Sequence, residues 1–553
     1  MSIQIYEQKD FTGGLNLRSD QFQLADNESP EMLNVEIDPR GGVFSRGGMT
    51  RLNPDNVGGT WLPKKLQPFY GASNKLMLAN NNKVYYISTA NNFAVLNYTY
   101  SGSSYNVTTT GGHGACMAAW GQTLYIAVGS NTGQSGTDAQ YKWSGSGNAV
   151  ALPRVGSSPN TWATRGGSGG GHVPSADHLA VHANKMWAAG TYEDGQYFPN
   201  RIRFSDESLP ENWVEEDKID ILGGGTGITG MVVVNGALVV FKPFAVYVIF
   251  GYDYTDFQVT AISTTLGCHD HMQMAATDVG VYFYSHGDGL FYFDGSTITD
   301  IFQPMRPMFD AGYVNPAQDD AVTVSWVGRR VWLSLPYSTT GAATTSTVNL
   351  VFDPSISAYM MFATADNRGV VGGCDFRTDT GTDIRVACHP TVPAVLEVDN
   401  YSEDSDKILV SGASSGFNTV YRTKWFDAGS YMQRKMFRRP DLVMKESETQ
   451  MTLTVEVYHD FQESDGSEAR VFSVILPTAA TGMFWDSDSW AVENIDGSTE
   501  GSVWSGGVIS STIKAAKNLG LAKTVQLRFS GQPSKPWGIN SIGYKWAPRR
   551  VKG

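Results

Sequence analysis

Short runs of apolar residues, separated by polar turns that contain glycine, recur along most of this chain. The pattern is clearest between residues 228 and 295. There Val232–Val234, Ala237–Phe241 and Ala245–Phe250 are each of strand length and rich in β-branched and aromatic residues. The connections between them are too short for a helix. Strands joined in series in this way predict β-meanders, and a four-stranded meander repeated around an axis makes a blade of a β-propeller.

The same unit, a strand followed by a polar turn and a second strand, recurs more weakly before and after this stretch. Its intervals of roughly forty to sixty residues are wide for a regular repeat. We therefore predict an all-β fold whose largest part, residues 60–419, is a β-propeller. The strand signals between about 60 and 415 suggest five or six blades.

The two ends of the chain differ from the blades. Residues 1–59 contain several Gly-Gly pairs and predict an extended N-terminal arm that packs on the C-terminal domain or on a neighbouring subunit. Within it, Ala25–Asn34 resembles a short helical turn, with Asp26 or Ser29 as its cap. Residues 420–553 predict a C-terminal β-sandwich, because Thr452–Tyr458 and later runs alternate between apolar and polar residues.

Composition supports this division and limits the function. A chain of 553 residues is too long for one hydrophobic core, and 60 glycines with 12% aromatic residues are typical of an all-β protein with many turns. The net charge of −13 argues against a protein that grips the phosphates of duplex DNA. An acidic surface is compatible with DNA that slides past without sticking.

Nothing in the sequence predicts export or a membrane anchor. The N-terminus lacks the basic and apolar regions of a secretory signal, and no apolar run approaches the ~20 residues that a membrane span requires. The four cysteines, Cys116, Cys268, Cys374 and Cys388, are far apart and are expected to be buried thiols. We therefore expect assembly in a cytoplasm.

Three glycine-rich segments match motifs of nucleotide sites or nucleophilic serines. Gly225–Gly230 matches G-x-G-x-x-G, but a strand pattern follows where a dinucleotide site requires a helix. Gly166–Gly170 and Gly412–Gly416 match G-x-S-x-G, but neither has the strand and helix that a nucleophile elbow requires. We interpret the first as a blade connector and the other two as loops.

Three further segments suggest chemistry without completing a site. In Cys268–His271 at most two neighbouring side chains could reach one ion, and His269 and His271 have no evident third ligand. The acidic Glu397–Asp406 lacks the order of a calcium loop and is interpreted as a solvated loop. Ser205–Trp213 resembles one Asp-box of sialidase propellers without its central glycine. We therefore predict no catalytic residue, metal ligand or cofactor.

A basic cluster lies near the start of the predicted sandwich. Its charged residues are Arg434, Lys435, Arg438 and Arg439. Such a cluster could touch DNA, but more often it is solvated or meets an acidic partner subunit. We favour a protein–protein role over direct contact with DNA.

The arm carries a recognisable pattern. It reads Phe11-x-Gly13-Gly14-Leu15-Asn16, then Leu33-Asn34-Val35, then Gly42-Val43-x-x-Arg46-Gly47-Gly48. Together with Arg203–Asp206 and Gly280–Gly295, this pattern resembles the tail nozzle, or packaged-DNA stabilisation, proteins of short-tailed double-stranded-DNA bacteriophages. The resemblance covers about half the chain, and its motifs encode turns and strands rather than chemistry.

The resemblance implies a structural virion protein without enzymatic activity. It implies a homohexameric ring at the distal tail that encloses the DNA channel, retains packaged DNA and conducts it during ejection. The expected partners are a tail adaptor on the portal side, tail fibres or spikes, and DNA in passage without sequence-specific binding. Candidate contacts to neighbouring subunits or to the adaptor are Phe11, Leu15, Asn34, Arg46, Arg434, Lys435, Arg438 and Arg439. The alternative is a receptor-binding or glycan-degrading tail protein with a carboxylate- and aromatic-lined pocket on one propeller face.

Overall fold

The structure is a computed structural model that describes most of the chain. The described residues are 3–20, 23–80, 83–88, 91–100, 103–108, 114–129, 138–155, 162–167, 172–445, 451–461, 470–476, 492–493, 499–500, 510–514, 518–531 and 535–548.

The N-terminal segment is extended and supplies strands to both later domains. Its strands are β1 (Gln4–Gln8), β2 (Gly14–Leu15), β3 (Glu28–Ser29), β4 (Glu31–Leu33), β5 (Val35–Ile37), β6 (Val43–Ser45) and β7 (Gly48–Arg51). Residues 28–33 are therefore extended, and the helical turn expected over Ala25–Asn34 is wrong. Strand pairing across the chain explains the difference, because Met32 pairs with Tyr421, and the Ser29 hydroxyl donates to the carbonyl of Arg422 at 2.7 Å.

Within the described residues, seven four-stranded antiparallel sheets follow one another as blades. Blade one is β8 (Pro63–Tyr70), β9 (Asn74–Asn80), β10 (Lys83–Ile87) and β11 (Phe93–Val95), followed by the hairpin β12 (Asn97–Tyr100) and β13 (Ser103–Asn106). Blade two is β14 (Cys116–Trp120), β15 (Thr123–Ala127), β16 (Asp138–Trp143) and β17 (Val150–Pro153). Blade three is β18 (Ser175–His182), β19 (Lys185–Glu193), β20 (Gln196–Asp206) and β21 (Leu209–Asp220).

The next two blades lie in the stretch where the sequence pattern is clearest, and a sixth follows it. Blade four is β22 (Gly230–Val234), β23 (Ala237–Lys242), β24 (Ala245–Phe250) and β25 (Gln258–Ser263). Blade five is β26 (Met274–Ala276), β27 (Val281–Ser285), β28 (Gly289–Phe293) and β29 (Ile298–Asp300). Blade six is β30 (Thr323–Val327), β31 (Arg330–Leu335), β32 (Val348–Asp353) and β33 (Ala358–Phe362). Short helical turns at His271–Gln273, Gln303–Met305, Pro307–Asp310 and Pro316–Ala321 lie in the connectors around blade five.

Blade seven is completed by the N-terminal segment. Its strands β34 (Val371–Arg377), β35 (Asp383–Cys388) and β36 (Val395–Asn400) pair in order, and β7 pairs antiparallel to β36 as the fourth strand. This pairing closes the ring and covers an otherwise open strand edge. The expectation of five or six blades was too low, partly because β7 lies outside residues 60–419, where the repeats were counted.

Adjacent blades pack through the side chains of their facing sheets. Between blades four and five, the rings of Phe241 and Phe283 lie 5.1 Å apart in a core that also contains Val239 and Val281. Leu66 and Leu76 of blade one share a core with Val386 and Val395 of blade seven. The first and last blades are therefore in contact, as a closed propeller requires.

Most of the C-terminal strands form two sheets that the N-terminal segment completes, and two short strands, at Val492–Glu493 and Thr499–Glu500, pair only with each other. The strands are β37 (Val420–Arg422), β38 (Lys435–Phe437), β39 (Asp441–Lys445), β40 (Met451–His459), β41 (Arg470–Leu476), β42 (Val492–Glu493), β43 (Thr499–Glu500), β44 (Ser510–Lys514), β45 (Gly520–Ala522), β46 (Val525–Ser530) and β47 (Gly538–Pro548). One sheet has the order β44-β39-β47-β38-β45, to which β1, β5 and β6 attach. The other has the order β4-β37-β46-β40-β41.

Alternation along β40 shows why these sheets have a buried face. Met451, Leu453, Val455 and Val457 are buried, whereas the residues between them are only half-buried. The predicted fold class is confirmed: the chain is all-β, with a propeller, a C-terminal sandwich and an extended N-terminal arm. The four cysteines are free thiols, and of these Cys268, Cys374 and Cys388 are buried. Across the described ranges, no helix has the length and apolar character to cross a bilayer.

Candidate functional site

The candidate residues and charged groups do not converge on one pocket, and the structure separates them into four places. These are a buried junction between the domains, an exposed basic patch, a groove on blade seven and a histidine–aspartate cluster beside blade five.

The junction is built around Arg46 of the N-terminal segment. Its guanidinium makes two hydrogen bonds to the carboxylate of Asp406, at 3.0 and 2.8 Å, and donates to the carbonyl of Ala363 and the side chain of Asn34. Both side chains of the ion pair are at most 1% exposed. The guanidinium also lies 3.7 Å from the centre of the Phe417 ring. One arginine thus ties the end of blade six to the segment that follows blade seven.

Asn34 completes the junction because it faces three segments at once. Its side-chain amide donates to the carbonyl of Asn418 at 2.8 Å, and its oxygen accepts from the backbone of Ala363. Its φ of 54° is left-handed, a conformation that asparagine tolerates better than most residues. The bond to Asn418 reaches the start of the sandwich, so this network links the propeller to the C-terminal domain.

Phe11 and Leu15 form the apolar side of the same junction. Phe11 is fully buried and packs edge-on against Tyr421 of the sandwich, with ring centres 5.6 Å apart. Leu15 is buried next to Gly14, where a Cβ would lie 2.8 Å from the carbonyl oxygen of Tyr359 in blade six. Close approach therefore requires the glycine. Four of the candidate contacts to other subunits have buried side chains that pack or form hydrogen bonds within this chain. They are Phe11, Leu15, Asn34 and Arg46.

The acidic segment Glu397–Asp406 was expected to be a solvated loop, and this is wrong for part of it. Residues 397–400 belong to the strand of blade seven that pairs with β7, and Asp406 is fully buried by its pairing with Arg46. The partner of Asp406 lies 360 positions away, so local sequence gave no sign of the pairing.

The basic cluster lies on and around β38 and alternates in exposure. Arg434, Arg438 and Arg439 are exposed, whereas Lys435 is buried and its ammonium donates to the carbonyls of Asp427, Ser430 and Lys523. Burial lowers the pKa of Lys435. Lys435 is thus a structural residue, and the three arginines present the positive charge.

Large apolar side chains stand beside these arginines. Tyr431, Met432 and Met436 are exposed, and Met432 is 73% exposed. We call Tyr431, Met432, Arg434, Met436, Arg438 and Arg439 the arginine–methionine patch. Exposed apolar groups next to arginines are typical of protein–protein contact surfaces.

A groove of about 560 Å³ opens beside blade seven. Its lining includes Tyr70, Asp375, Arg385, Glu397, Asp399 and Tyr401. Asp399 is nearly buried and lies 3.3 Å from the guanidinium of Arg385. Burial, with a further contribution from the negative charge of Glu36, raises the pKa of Asp399 to about 7. The groove therefore combines carboxylates, cations and two tyrosines.

The histidine–aspartate cluster consists of His269, His286 and Asp319. Nδ1 of each imidazole lies 3.1 Å from a different oxygen of the Asp319 carboxylate. Burial opposes ionisation of Asp319, but the two imidazoles hold its pKa below the ordinary value. His271 instead packs against His178, with ring centres 5.2 Å apart, so it does not join His269 as a ligand pair. Sequence reasoning missed His286 and Asp319, which lie in a hairpin turn and a connector without a ligand motif.

The remaining motifs lie where the sequence analysis expected. Gly225–Gly230 connects blade three to blade four, and strand β22 follows it. Residues 412–416 are in a loop that contacts Asp406 through Ser415. The other G-x-S-x-G match extends outside the described residues. Asp206 and Trp213 belong to blade three, where the Asp206 carboxylate accepts from the backbone of Gly166 and from Asn212.

Comparisons with known proteins give a likeness in structure only. No family model matches the chain, and no curated protein matches it. Virginiamycin B lyase from Staphylococcus aureus is 10% identical, with a TM-score of 0.37, over 63% of this chain and 98% of that one. BBS1N in complex with ARL6DN is 10% identical, with a TM-score of 0.39, over 64% of this chain and 96% of that one. A fungal alcohol oxidase of the AA5 family, in complex with copper, is 9% identical, with a TM-score of 0.35, over 78% and 93%. These similarities are too low to indicate an activity.

Proposed function

We propose that this chain is a structural protein of a bacteriophage tail. In this proposal it forms a ring-shaped nozzle or hub at the distal tail, encloses the DNA channel, retains the packaged DNA and conducts it during ejection. Its role is mechanical rather than enzymatic, and it assembles in the host cytoplasm into the virion.

The observation that supports this proposal best is the buried junction. Residues of the N-terminal segment behind the resemblance to tail nozzle proteins, among them Phe11, Asn34 and Arg46, are buried and contact both later domains. Their β7 also closes the propeller ring. A wall that holds DNA under pressure requires a stiff subunit, and a shared segment with buried polar bonds stiffens the link between two domains.

Ring assembly requires a head-to-tail contact between unlike surfaces of two copies. The arginine–methionine patch offers one such surface, with three exposed arginines and exposed apolar side chains. The chain as a whole has a net charge of −13, so a neighbouring copy presents an acidic partner. The same acidity disfavours adhesion of DNA during passage. A homohexamer and contacts to an adaptor and to fibres are part of the proposal.

Particles assembled without this chain test the proposal. If the chain closes the distal tail, such particles should lose their DNA or leave it open to nuclease, and supplying the wild-type chain in trans should restore protection. Protection should not return with a chain that carries Arg46→Met. Particles that lack the chain and still retain a nuclease-resistant genome would contradict the proposal.

The groove on blade seven favours a second candidate, a receptor-binding or glycan-degrading tail protein. Half-exposed Tyr70 and Tyr401 could stack on sugar rings, and a carboxyl group with a raised pKa, such as Asp399, is suited to act as a general acid. This candidate predicts release of reducing ends from a host polysaccharide. That release should disappear with Asp399→Asn, while nuclease protection of the particle should not change.

A further inference from the structure

Three chain segments around blade five bring two imidazoles and a carboxylate together. His269 lies in the connector that enters the blade, His286 in the turn between β27 and β28, and Asp319 in the connector that leaves it. One ligand atom from each side chain lies within 4.8 Å of the other two. None of these residues has a role in the proposed tail function, and none touches the junction or the groove described above.

The spacing of the ligand atoms suits a metal ion. Each imidazole Nδ1 is 3.1 Å from an oxygen of Asp319. With zinc–ligand bonds of about 2.0–2.1 Å, two ligands of a tetrahedral ion lie roughly 3.3 Å apart. Two histidines with one carboxylate form a set that zinc and other divalent first-row metals use, with the remaining positions open to water.

Polar atoms of the cluster are buried without a hydrogen-bond partner among the described residues. They are Nε2 of His269, Nδ1 of His286 and Oδ1 of Asp319. The last two face each other at 3.1 Å, but their alignment does not make a hydrogen bond. A buried polar atom without a partner costs free energy, and a cation between these two atoms would satisfy both.

Hydrogen bonds outside the cluster hold two of the three ligands in place. The backbone of Cys268, next to His269, donates to the carbonyl of Lys242 at 3.0 Å. The carbonyl of Asp319 accepts from the buried side chain of Gln273, also at 3.0 Å. These bonds hold the backbone next to His269 and at Asp319 in place.

His286 is the ligand with freedom to adjust. Its ring stacks on that of His269, with centres 5.0 Å apart and planes inclined by 7°. Parallel rings cannot both aim a lone pair at one ion, so one must tilt. The side chain of His286 is 35% exposed and projects from a hairpin turn, which gives its ring room to turn.

We propose that His269, His286 and Asp319 bind one divalent transition-metal ion, for which zinc is the probe. The ion links the two connectors of blade five to its middle hairpin, and water completes its coordination. This proposal does not depend on the tail assignment, because it concerns the isolated chain.

Zinc binding to the full-length chain tests this proposal after treatment with a chelator. Equilibrium dialysis with elemental analysis should give one zinc ion per chain. His269→Ala, His286→Ala and Asp319→Asn should each weaken binding by at least about tenfold. The matched controls are Asp320→Asn, an exposed carboxylate next in sequence to Asp319, and His172→Ala, a histidine outside the cluster. Both should bind zinc like the wild type.

Cobalt(II) provides a second readout that identifies the ligands. The wild-type complex should show visible d–d bands without the near-ultraviolet charge-transfer band of a thiolate, which excludes the four cysteines. His286→Cys should keep the ion and add that band. Failure of the wild type to bind zinc, or equal losses for Asp319→Asn and Asp320→Asn in chains with unchanged circular dichroism, would overturn the proposal.

Discussion

At the scale of single residues, a few long-range polar contacts hold the domains together. Arg46 and Asp406 are separated by 360 positions and form a buried ion pair in which each charged group has further partners. Besides Arg46, Asp406 accepts from the backbone of Met49 and of Ala365. Loss of one partner leaves the other charged and buried, which is far more costly than loss of an exposed pair.

Arg46→Met should therefore destabilise the protein by about 3–5 kcal/mol, the usual cost of leaving a buried charge unpaired. Chemical unfolding followed by tryptophan fluorescence measures the effect. The control is Arg40→Met, which removes a similar pair with Asp38 from a side chain that is 83% exposed and should change stability little. Equal losses of stability in the two variants would contradict the claim that the buried pair of Arg46 and Asp406 matters more than an exposed pair.

Asp399 should make stability depend on pH. Its pKa is about 7 in the folded chain, above the value of about 3.9 for an unfolded aspartate, so folding takes up a proton between these values. The stabilisation that protonation of Asp399 gives to the folded chain is fully present below pH ~4 and is lost as the pH rises to about 7. Asp399 has a φ of 55°, which asparagine also tolerates, so Asp399→Asn removes the titration and keeps the backbone.

The unfolding free energy of wild type minus that of Asp399→Asn should fall between pH 4 and 7, by at most about 1.4 kcal/mol per pH unit, and then level off. Urea unfolding at a series of pH values gives this difference directly. Parallel curves for the two proteins would show that Asp399 titrates normally.

At the scale of elements, one short strand determines whether the propeller closes. β7 begins at Gly48, where the chain passes close to the segment that follows β36. A Cβ on Gly48 would lie 2.4 Å from the carbonyl oxygen of Ser405 and 2.8 Å from that of Glu403. These are backbone atoms, so the neighbour cannot yield by a change of rotamer.

Gly48→Ala should therefore lower the thermal unfolding temperature, with a destabilisation of about 1–3 kcal/mol from overpacking. Gly58→Ala is the matched control, because a Cβ there meets nothing within 4 Å. Scanning calorimetry of both variants tests the role of the closing strand. Similar unfolding temperatures would mean that β7 contributes little to the closed ring.

The regular strands were predictable, and the exceptions have physical causes. Ala245–Phe250 has the same bounds in the sequence analysis and in the structure, because adjacent turns and β-branched residues define it locally. β7 and Ala25–Asn34 were not assigned correctly, because their partners, β36 and Arg422, lie hundreds of residues away. Local pattern therefore identifies strands but not the partners that decide their role.

The candidate sites were less predictable than the strands. Alternation in β38 would have separated buried Lys435 from exposed Arg434 and Arg438, had the strand been recognised. His269 was considered as a ligand, but its partners His286 and Asp319 come together only through the packing of blade five. Their spacing in sequence matches no metal-binding motif.

At the scale of the whole molecule, two features matter, the segment shared by the domains and the exposed arginine–methionine patch. The propeller and the sandwich share the N-terminal segment, so neither domain is complete without it. The arginine–methionine patch lies on and around β38 of the sandwich, and its side chains are exposed. Self-association should therefore use the patch without rearrangement of the domains.

Met432→Glu combined with Arg438→Glu should abolish ring assembly, because the pair removes an apolar contact and reverses a charge that faces an acidic neighbour. Mass photometry and negative-stain images of assembled tails measure the loss. Leu222→Glu, at a side chain that is 76% exposed on a blade connector, is the control and should leave rings intact. Rings that form with the double variant would place the contact elsewhere.

The central claim is that this chain forms the ring that encloses the DNA channel of the tail. The position of the chain in an assembled particle tests that claim most directly. A cryo-electron-microscopy map of the intact particle should show a closed ring of about six copies at the distal end of the tail, with the DNA channel through its centre. A map that places the chain in peripheral spikes or fibres, with another protein around the channel, would contradict it.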